Sequence, residues 1–218
     1  MNSLKIGILS IQGDIEENAS AVKKSLLELE TEGQIIHLKN TSGIEGLHGL
    51  VIPGGESTVM GILLSLQKIH LNLLVRKISE GLPVLGTCAG LILMANKAHD
   101  KTLGETKQQL LQVLDVTVER NAFGRQRESF EADLEIPMLG QEPFKGVFIR
   151  GPVITEVGKN VQILTRFENK IVAVKQDNIM ATSFHPELAS DNRFHNKFLS
   201  TCIKYYKSKE IGQDGLKS

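Results

Sequence analysis

The chain has 218 residues, 41% of them hydrophobic and 23% charged, enough for one sizeable core and better suited to one α/β domain than to two small ones. Lysine plus arginine equals aspartate plus glutamate at 25 each, so no net field directs it toward nucleic acid or an anionic membrane. The two cysteines, Cys88 and Cys202, sit in unlike contexts, which argues against a disulfide framework and makes a reducing, cytoplasmic setting the expectation. The first apolar run breaks at Gln12-Gly13-Asp14, too early for a signal peptide, and no apolar run reaches the length of a membrane span.

Leu4 to Ile11 is short, nearly continuous and rich in Ile and Leu, the pattern of a strand buried on both faces of a parallel sheet. From Ile15 to Leu29 apolar residues recur at helical spacing, with Glu16, Glu17, Lys23, Lys24 and Glu28 opposite. Gln34 to Leu38 and Gly49 to Ile52 read as further strands, the latter halted by Pro53-Gly54-Gly55. Ser57 to Leu66 and Leu71 to Ser79 read as helices, with Ser57 suited to cap the first. Strands and helices alternating at this pace predict a doubly wound, mostly parallel central sheet flanked by helices, flavodoxin-like in class.

The character changes after Ala95. His99 to Gln109 is polar and weakly patterned, and reads as an exposed loop. Val113 to Val118, Phe130 to Ile136, Gly146 to Ile149, Val161 to Leu164 and Ile171 to Val174 are short, partly alternating runs. They predict an antiparallel or mixed extension, with hairpin turns at Glu168-Asn169-Lys170 and Gln176-Asp177-Asn178. Ile179 to Phe184 is one more strand, and Phe194, Phe198, Cys202 and Tyr205 recur at helical spacing in a last helix from about Asp191. The expected organisation is one domain over residues 1–206 and a frayed tail over 207–218.

Three stretches carry chemistry. Leu82 to Leu85 runs into Gly86-Thr87-Cys88-Ala89-Gly90, and an apolar helix-like segment follows at once. Small residues around Cys88 permit the sharp strand-to-helix turn of a nucleophile elbow, and the helix start beneath the sulfur favours the thiolate. An isolated cysteine in an apolar stretch is equally a small core residue, so the assignment depends on finding a base and an oxyanion site. In His185-Pro186-Glu187 the carboxylate can reach the imidazole, fixing its tautomer and leaving the other nitrogen for the thiol; a strand-end turn with a solvated glutamate fits the same letters. Pro53-Gly54-Gly55-Glu56-Ser57 can turn an N–H toward a substrate carbonyl, although Pro-Gly-Gly is also an ordinary βα turn. His37, His48, His70, His99 and His195 show no metal-ligand pairing and are expected on the surface.

Together these stretches resemble the nucleophile, His-x-Glu and oxyanion motifs of class I (triad) glutamine amidotransferases. The likeness narrows to the PdxT family, the glutaminase subunit of pyridoxal 5′-phosphate synthase, through Ile11-Gln12-Gly13-Asp14, Gly54-Gly55-Glu56-Ser57-Thr58, Glu119 to Gln126, Ser129-Phe130-Glu131-Ala132 and Phe148-Ile149-Arg150. It spans about Leu4 to Tyr206. Val59, Gly151 and a long 99–109 segment depart from the usual pattern, and none of them touches the triad.

The resemblance implies hydrolysis of L-glutamine to glutamate and ammonia, with Cys88 as nucleophile, His185 as proton carrier and Glu187 orienting His185. It implies oxyanion donors at Gly54 or Gly55 and at Ala89, and glutamine binding by Gly54, Gly55, Glu56, Arg120, Ile149 and Arg150. It needs no metal and no cofactor, and it implies a PdxS-type synthase partner that receives the ammonia and makes pyridoxal 5′-phosphate. Gln12-Gly13 and nearby loops resemble the family's docking region, so the isolated chain is expected to be weakly active. A glutaminase feeding another synthase, such as imidazole glycerol phosphate synthase, and a non-catalytic module on the same fold remain the alternatives.

Overall fold

In the computed structural model of the chain, residues 3–66, 68–100, 104–105, 108–123 and 129–214 are described. The first half alternates as expected: β1 (Leu4–Leu9), α1 (Ile15–Glu28), β2 (Gly33–Leu38), β3 (Gly49–Ile52), α2 (Ser57–Ser65), α3 (Lys68–Ser79), β4 (Val84–Thr87) and α4 (Ala89–Met94). Then come β5 (Ala95–Asp100), β6 (Gly104–Glu105), β7 (Leu114–Arg120), β8 (Ser129–Leu134), β9 (Phe144–Ile149) and β10 (Val153–Val157). The chain finishes with β11 (Gln162–Phe167), β12 (Lys170–Gln176), β13 (Ile179–Thr182) and α5 (Arg193–Asp214).

Eleven strands form one sheet in the order β2-β1-β3-β4-β13-β12-β10-β7-β5-β6, with β11 beside β12, while β8 and β9 pair separately. From β2 to β13 every pairing is parallel. Beyond β13 most are antiparallel, β5 against β7 excepted. This is the α/β architecture read from the sequence, a mostly parallel sheet with a mixed extension.

Period-two alternation divides the core between the two faces of the sheet. Leu50, Ile52 and Val84 pack with Met60, Leu64, Leu74 and Leu91 of α2, α3 and α4 on one face. Val51 and Leu85 pack with Ile6, Val22 and Leu26 and with Phe184, Phe194 and Phe198 toward α1 and α5 on the other. The β8–β9 hairpin is fastened to that second face by aromatic rings: Phe130 stacks on Phe148 at 4.6 Å, and Phe148 meets Phe184 at 5.6 Å. Such ring pairs contribute beyond their buried area, so the hairpin is fixed relative to the strand that leads into His185.

Three local expectations are corrected. The segment from His99 to Gln109 is not simply a loop. Its start continues β5, where His99 and Asp100 pair with β7 and with the short β6, and long-range pairing supplies the order that its polar letters do not advertise. The expected frayed tail remains helical through Asp214, helped by local side-chain pairs: the Tyr206 hydroxyl bonds Glu210, and Lys209 lies over the Tyr205 ring. Residues 215–218 lie outside the described residues. The extension also contains β10, a strand for which the sequence offered no distinct run.

Candidate active site

β1, β3, β4 and β13 run parallel, so the loops that leave them emerge at one edge of the sheet. Those loops carry Gln12-Gly13-Asp14, Pro53-Gly54-Gly55-Glu56, Cys88 and His185. The carboxyl edge of a parallel sheet is where α/β folds place ligands, and here it gathers the three stretches that carry chemistry. A cavity of about 290 Å³ opens there, lined by Gln12, Asp14, Gly55, Cys88, Arg120 and His185, with Glu56, Ile149 and Arg150 also on its wall. Another, of about 430 Å³, lies around Glu80, Gly81, Asp177 and Asn178 near the opposite strand ends and has no nucleophile.

The elbow at Cys88 is sharp. Its backbone adopts φ 49 and ψ −100, a region that L-residues avoid and that costs on the order of 1–3 kcal/mol. The Cys88 amide donates to the Thr182 carbonyl at 2.8 Å, which anchors the turn to β13. Glycine is required two residues on, because a Cβ at Gly90 would lie 2.0 Å from the Ile52 carbonyl oxygen. Only a bare backbone lets α4 descend so closely on β3. The Cys88 sulfur lies 3.9 Å from the Ile149 carbonyl oxygen at the end of β9, and Arg150 follows with φ 46.

His185 is buried at the end of the chain segment from β13, its amide donating to the Val147 carbonyl of β9 at 2.8 Å. Its Nδ1 lies 2.9 Å from Glu187 Oε1, and Glu187 is closed off from solvent at its side chain. Cys88 and His185 line the same cavity, and Asp14 Oδ2 lies 3.1 Å from the same Nδ1. Burial works against charge on the ring, but the proximity of Asp14, Cys88 and Glu187 outweighs it and pushes its pKa up to about 12. His185 is therefore an imidazolium at neutral pH. Asp14, His185 and Glu187 are also the group among the described residues close enough to hold a cation, their ligand atoms within 4.8 Å of one another. As it stands, the ring nitrogen lies between the two carboxylates, at hydrogen-bonding distance from each.

Thr87, read in the sequence only as a small residue, links two of the motifs. Its hydroxyl accepts the Gly54 amide at 2.9 Å and donates to Glu187 Oε1 at 3.4 Å. This corrects one expected oxyanion donor, since in this conformation the Gly54 N–H is engaged by Thr87 and its carbonyl by the Asp14 amide. Gly55 remains on the cavity wall, and Ala89 opens α4, where early amides have no intrahelical acceptor. A second correction concerns the start of α2. Glu56, not Ser57, is its cap, accepting from the Thr58 and Val59 amides at 3.1 and 2.7 Å, while Ser57 is buried and bonds Gln108.

Arg120 meets Glu56 at 3.5 Å and donates to Gln108 at 3.1 Å, so its guanidinium is held beside the cavity instead of lying solvated. The amides of Val59 and Thr58 and the charge of Arg120 lower the Glu56 pKa against the opposing effect of partial burial. Of the six positions expected to bind glutamine, Gly55, Glu56, Arg120, Ile149 and Arg150 reach the cavity, and Gly54 stands behind it. Val59, one of the departures, is exposed on α2 and does not line the cavity. Arg125 and Gln126 lie outside the described residues.

The histidines expected on the surface include exceptions. His195 is fully buried in α5, where burial pushes its pKa down to about 4 and leaves it neutral. His48 accepts the Lys5 amide at 2.9 Å and packs on Tyr206. Cys88 and Cys202 are both free thiols.

Cys88 and His185 meet at this cavity with the buried Glu187 behind the ring, and the model of the SNO glutamine amidotransferase family matches residues 8–204. The chain belongs to that family. It is 45% identical over 198 residues to the pyridoxal 5′-phosphate synthase subunit PdxT of Nitrosopumilus maritimus, covering 91% of this chain and 96% of the relative. It is 47% identical over 196 residues to that of Thermotoga petrophila, covering 90% and 98%. A solved structure titled as a glutamine amidotransferase superposes with a TM-score of 0.77 at 40% identity, covering 90% of this chain and 98% of that one. The family match and the superposed structure each cover about nine tenths of the chain. Among the described residues no helix is long and apolar enough to cross a membrane.

Proposed function

We propose that residues 1–206 act as one glutaminase domain that hydrolyses L-glutamine to L-glutamate and ammonia. The observation that carries this reading is the convergence of Cys88 and His185 on one cavity, with His185 Nδ1 2.9 Å from the buried Glu187 Oε1. Cys88, as thiolate, attacks the side-chain amide carbon; a C–S bond forms and the carbonyl electrons move onto oxygen. We assign the amides of Gly55 and Ala89 as the donors for that charge. His185 passes the former thiol proton to the departing nitrogen as the C–N bond breaks, releasing ammonia and leaving a thioester. Water then attacks, His185 accepts its proton, and the C–S bond breaks to give glutamate. Glu187 holds the ring throughout.

Arg120 and Arg150 supply positive charge for the α-carboxylate, and an arginine suits that role because its donors form a fixed fork. Arg120→Gln is expected to raise the KM for glutamine by about 10–100-fold with a much smaller change in kcat, as for an interaction shared by ground and transition states. An unchanged KM in steady-state assays would remove Arg120 from the substrate site.

Ammonia protonates in bulk water, so its value lies in transfer to a second active site. The names of the relatives support a synthase subunit as that recipient, and we assign a PdxS-type partner that consumes the ammonia in making pyridoxal 5′-phosphate, in a cytoplasmic complex. The decisive assay is ammonia release from glutamine by the isolated chain, by the chain with a PdxS-type subunit, and by the chain with the cyclase subunit of imidazole glycerol phosphate synthase. The isolated chain should be slow and the PdxS-type mixture much faster, because partner docking can complete the oxyanion site. Stimulation by the other partner alone would transfer the assignment to that pathway, and no hydrolysis in any mixture would leave a non-catalytic module.

A further inference from the structure

The geometry points to Asp14 as a second positioning carboxylate for His185, one that also ties the imidazole to the Gly54-Gly55 loop. The inference rests on the glutaminase reading of the site. It begins with a residue that is not doing what its place in the chain predicts. Asp14 immediately precedes α1, where aspartate normally accepts the first free amides of the helix, yet its side chain makes no capping bond. Its carboxylate turns instead to His185, with Oδ2 3.1 Å from Nδ1.

The loop that carries Asp14 is built to hold it there. A Cβ at Gly13 would lie 1.8 Å from the Gly54 carbonyl oxygen, and Gly13 has φ +108, so this close approach is reserved for glycine. The Asp14 amide donates to that same Gly54 carbonyl at 3.1 Å, and Gln12 Oε1 accepts the Glu56 amide at 2.8 Å. Asp14 thus grips the Gly54-Gly55 segment through its main chain and His185 through its side chain. A turn of the Gly54–Gly55 peptide must break the first grip and so disturb the second. Substrate-side backbone geometry and the basicity of His185 are coupled through this one residue.

The groups facing His185 are Asp14 from the loop after β1, Glu187 from the turn that follows His185, and Cys88 from the elbow. Glu56, Arg120 and Arg150 lie further along the cavity wall. Of the two carboxylates, Glu187 is enclosed, while the Asp14 side chain is 36% exposed and faces the cavity, so Asp14 is the one that substrate or a docked partner can reach. The bond from His185 in turn holds the Asp14 carboxyl below the usual carboxylate range, keeping it ionised. Two carboxylates on one side of the ring favour the imidazolium that must carry a proton from thiol to ammonia.

The test is Asp14→Asn in the full chain together with its synthase partner, read as the pH profile of kcat/KM for glutamine, whose alkaline limb reports loss of the His185 proton in the free enzyme. In the variant that limb should start at lower pH by at least about half a unit, a threefold loss of proton affinity. At neutral pH kcat should fall about tenfold with KM nearly unchanged, the mark of an interaction used in the transition state. Asp14→Glu should recover part of the shift. Titration of the His185 ring nitrogens by NMR in the resting chain gives the same comparison without turnover, and Asp14→Ser repeats it should the amide variant fail to fold. Profiles that coincide with wild type overturn the assignment. Failure of the wild-type enzyme to hydrolyse glutamine would overturn the glutaminase reading instead, and the NMR titration would still decide whether Asp14 controls the ring.

Discussion

Replacing Cys88 with alanine is expected to reduce ammonia release by a factor on the order of 10⁴–10⁶, the scale seen when a nucleophile is removed from a triad. The fold should survive, because alanine occupies the same elbow and loses only a sulfur that is already at the cavity. Glycine at this position separates chemistry from strain. With φ 49 and ψ −100, Cys88 occupies the conformation of the first central residue of a type II′ turn, where glycine is the relaxed choice. Cys88→Gly should be as inactive as alanine yet more stable than wild type by about 1 kcal/mol in urea unfolding. The pair of variants therefore tests whether backbone strain at the elbow is maintained for the position of the sulfur. Residual turnover near the wild-type rate would overturn the nucleophile, and a glycine variant less stable than alanine would overturn the strain.

The parts of this molecule that were legible in its letters are those where local pattern and long-range packing agree. The runs Leu4–Leu9 and Gly49–Ile52 are apolar because both faces of those strands are covered, and the periodicity of Ile15 to Leu29 reports the face that α1 buries. The elbow announced itself because Gly86 and Gly90 answer a steric demand. What escaped were features that exist only after the chain closes. Ala95 to Asp100 has no strand-like composition, and its order comes from β7, some twenty residues later. Glu56 displaces Ser57 as cap because its side chain reaches forward to two amides of the first turn while Arg120 approaches from β7. Thr87 looked like a spacer, and its hydroxyl became a link only when β3 and β13 flanked β4. Asp14 looked like a strand end, and nothing in its neighbours' identities signals that it faces a histidine 171 positions later in the chain.

Gly90→Ala should be severely damaging although it adds only one methyl group near the site. The new Cβ would lie 2.0 Å from the Ile52 oxygen and 2.9 Å from its carbon, both backbone atoms of β3. A clash with a flexible side chain can be relieved by rotation, whereas β3 is paired on both sides, with β1 and β4, and cannot retreat without pulling the central sheet apart. The substitution is expected to cost about 3 kcal/mol or more, lowering Tm by roughly 6–12 °C for a domain of this size. What can move is α4, and displacing its first turn carries Cys88 away from His185, so activity should fall even at temperatures where the variant remains folded. Gly46→Ala provides the control. Gly46 also has a positive φ, +81, but nothing lies within 4 Å of an added Cβ there, so only backbone strain of about 1 kcal/mol is at stake and glutamine hydrolysis should be unaffected. Equal losses of stability and activity in the two variants would mean that the Gly90 requirement is one of backbone conformation alone; the expected separation between them locates it in the contact of α4 with β3 that sets the position of the thiol.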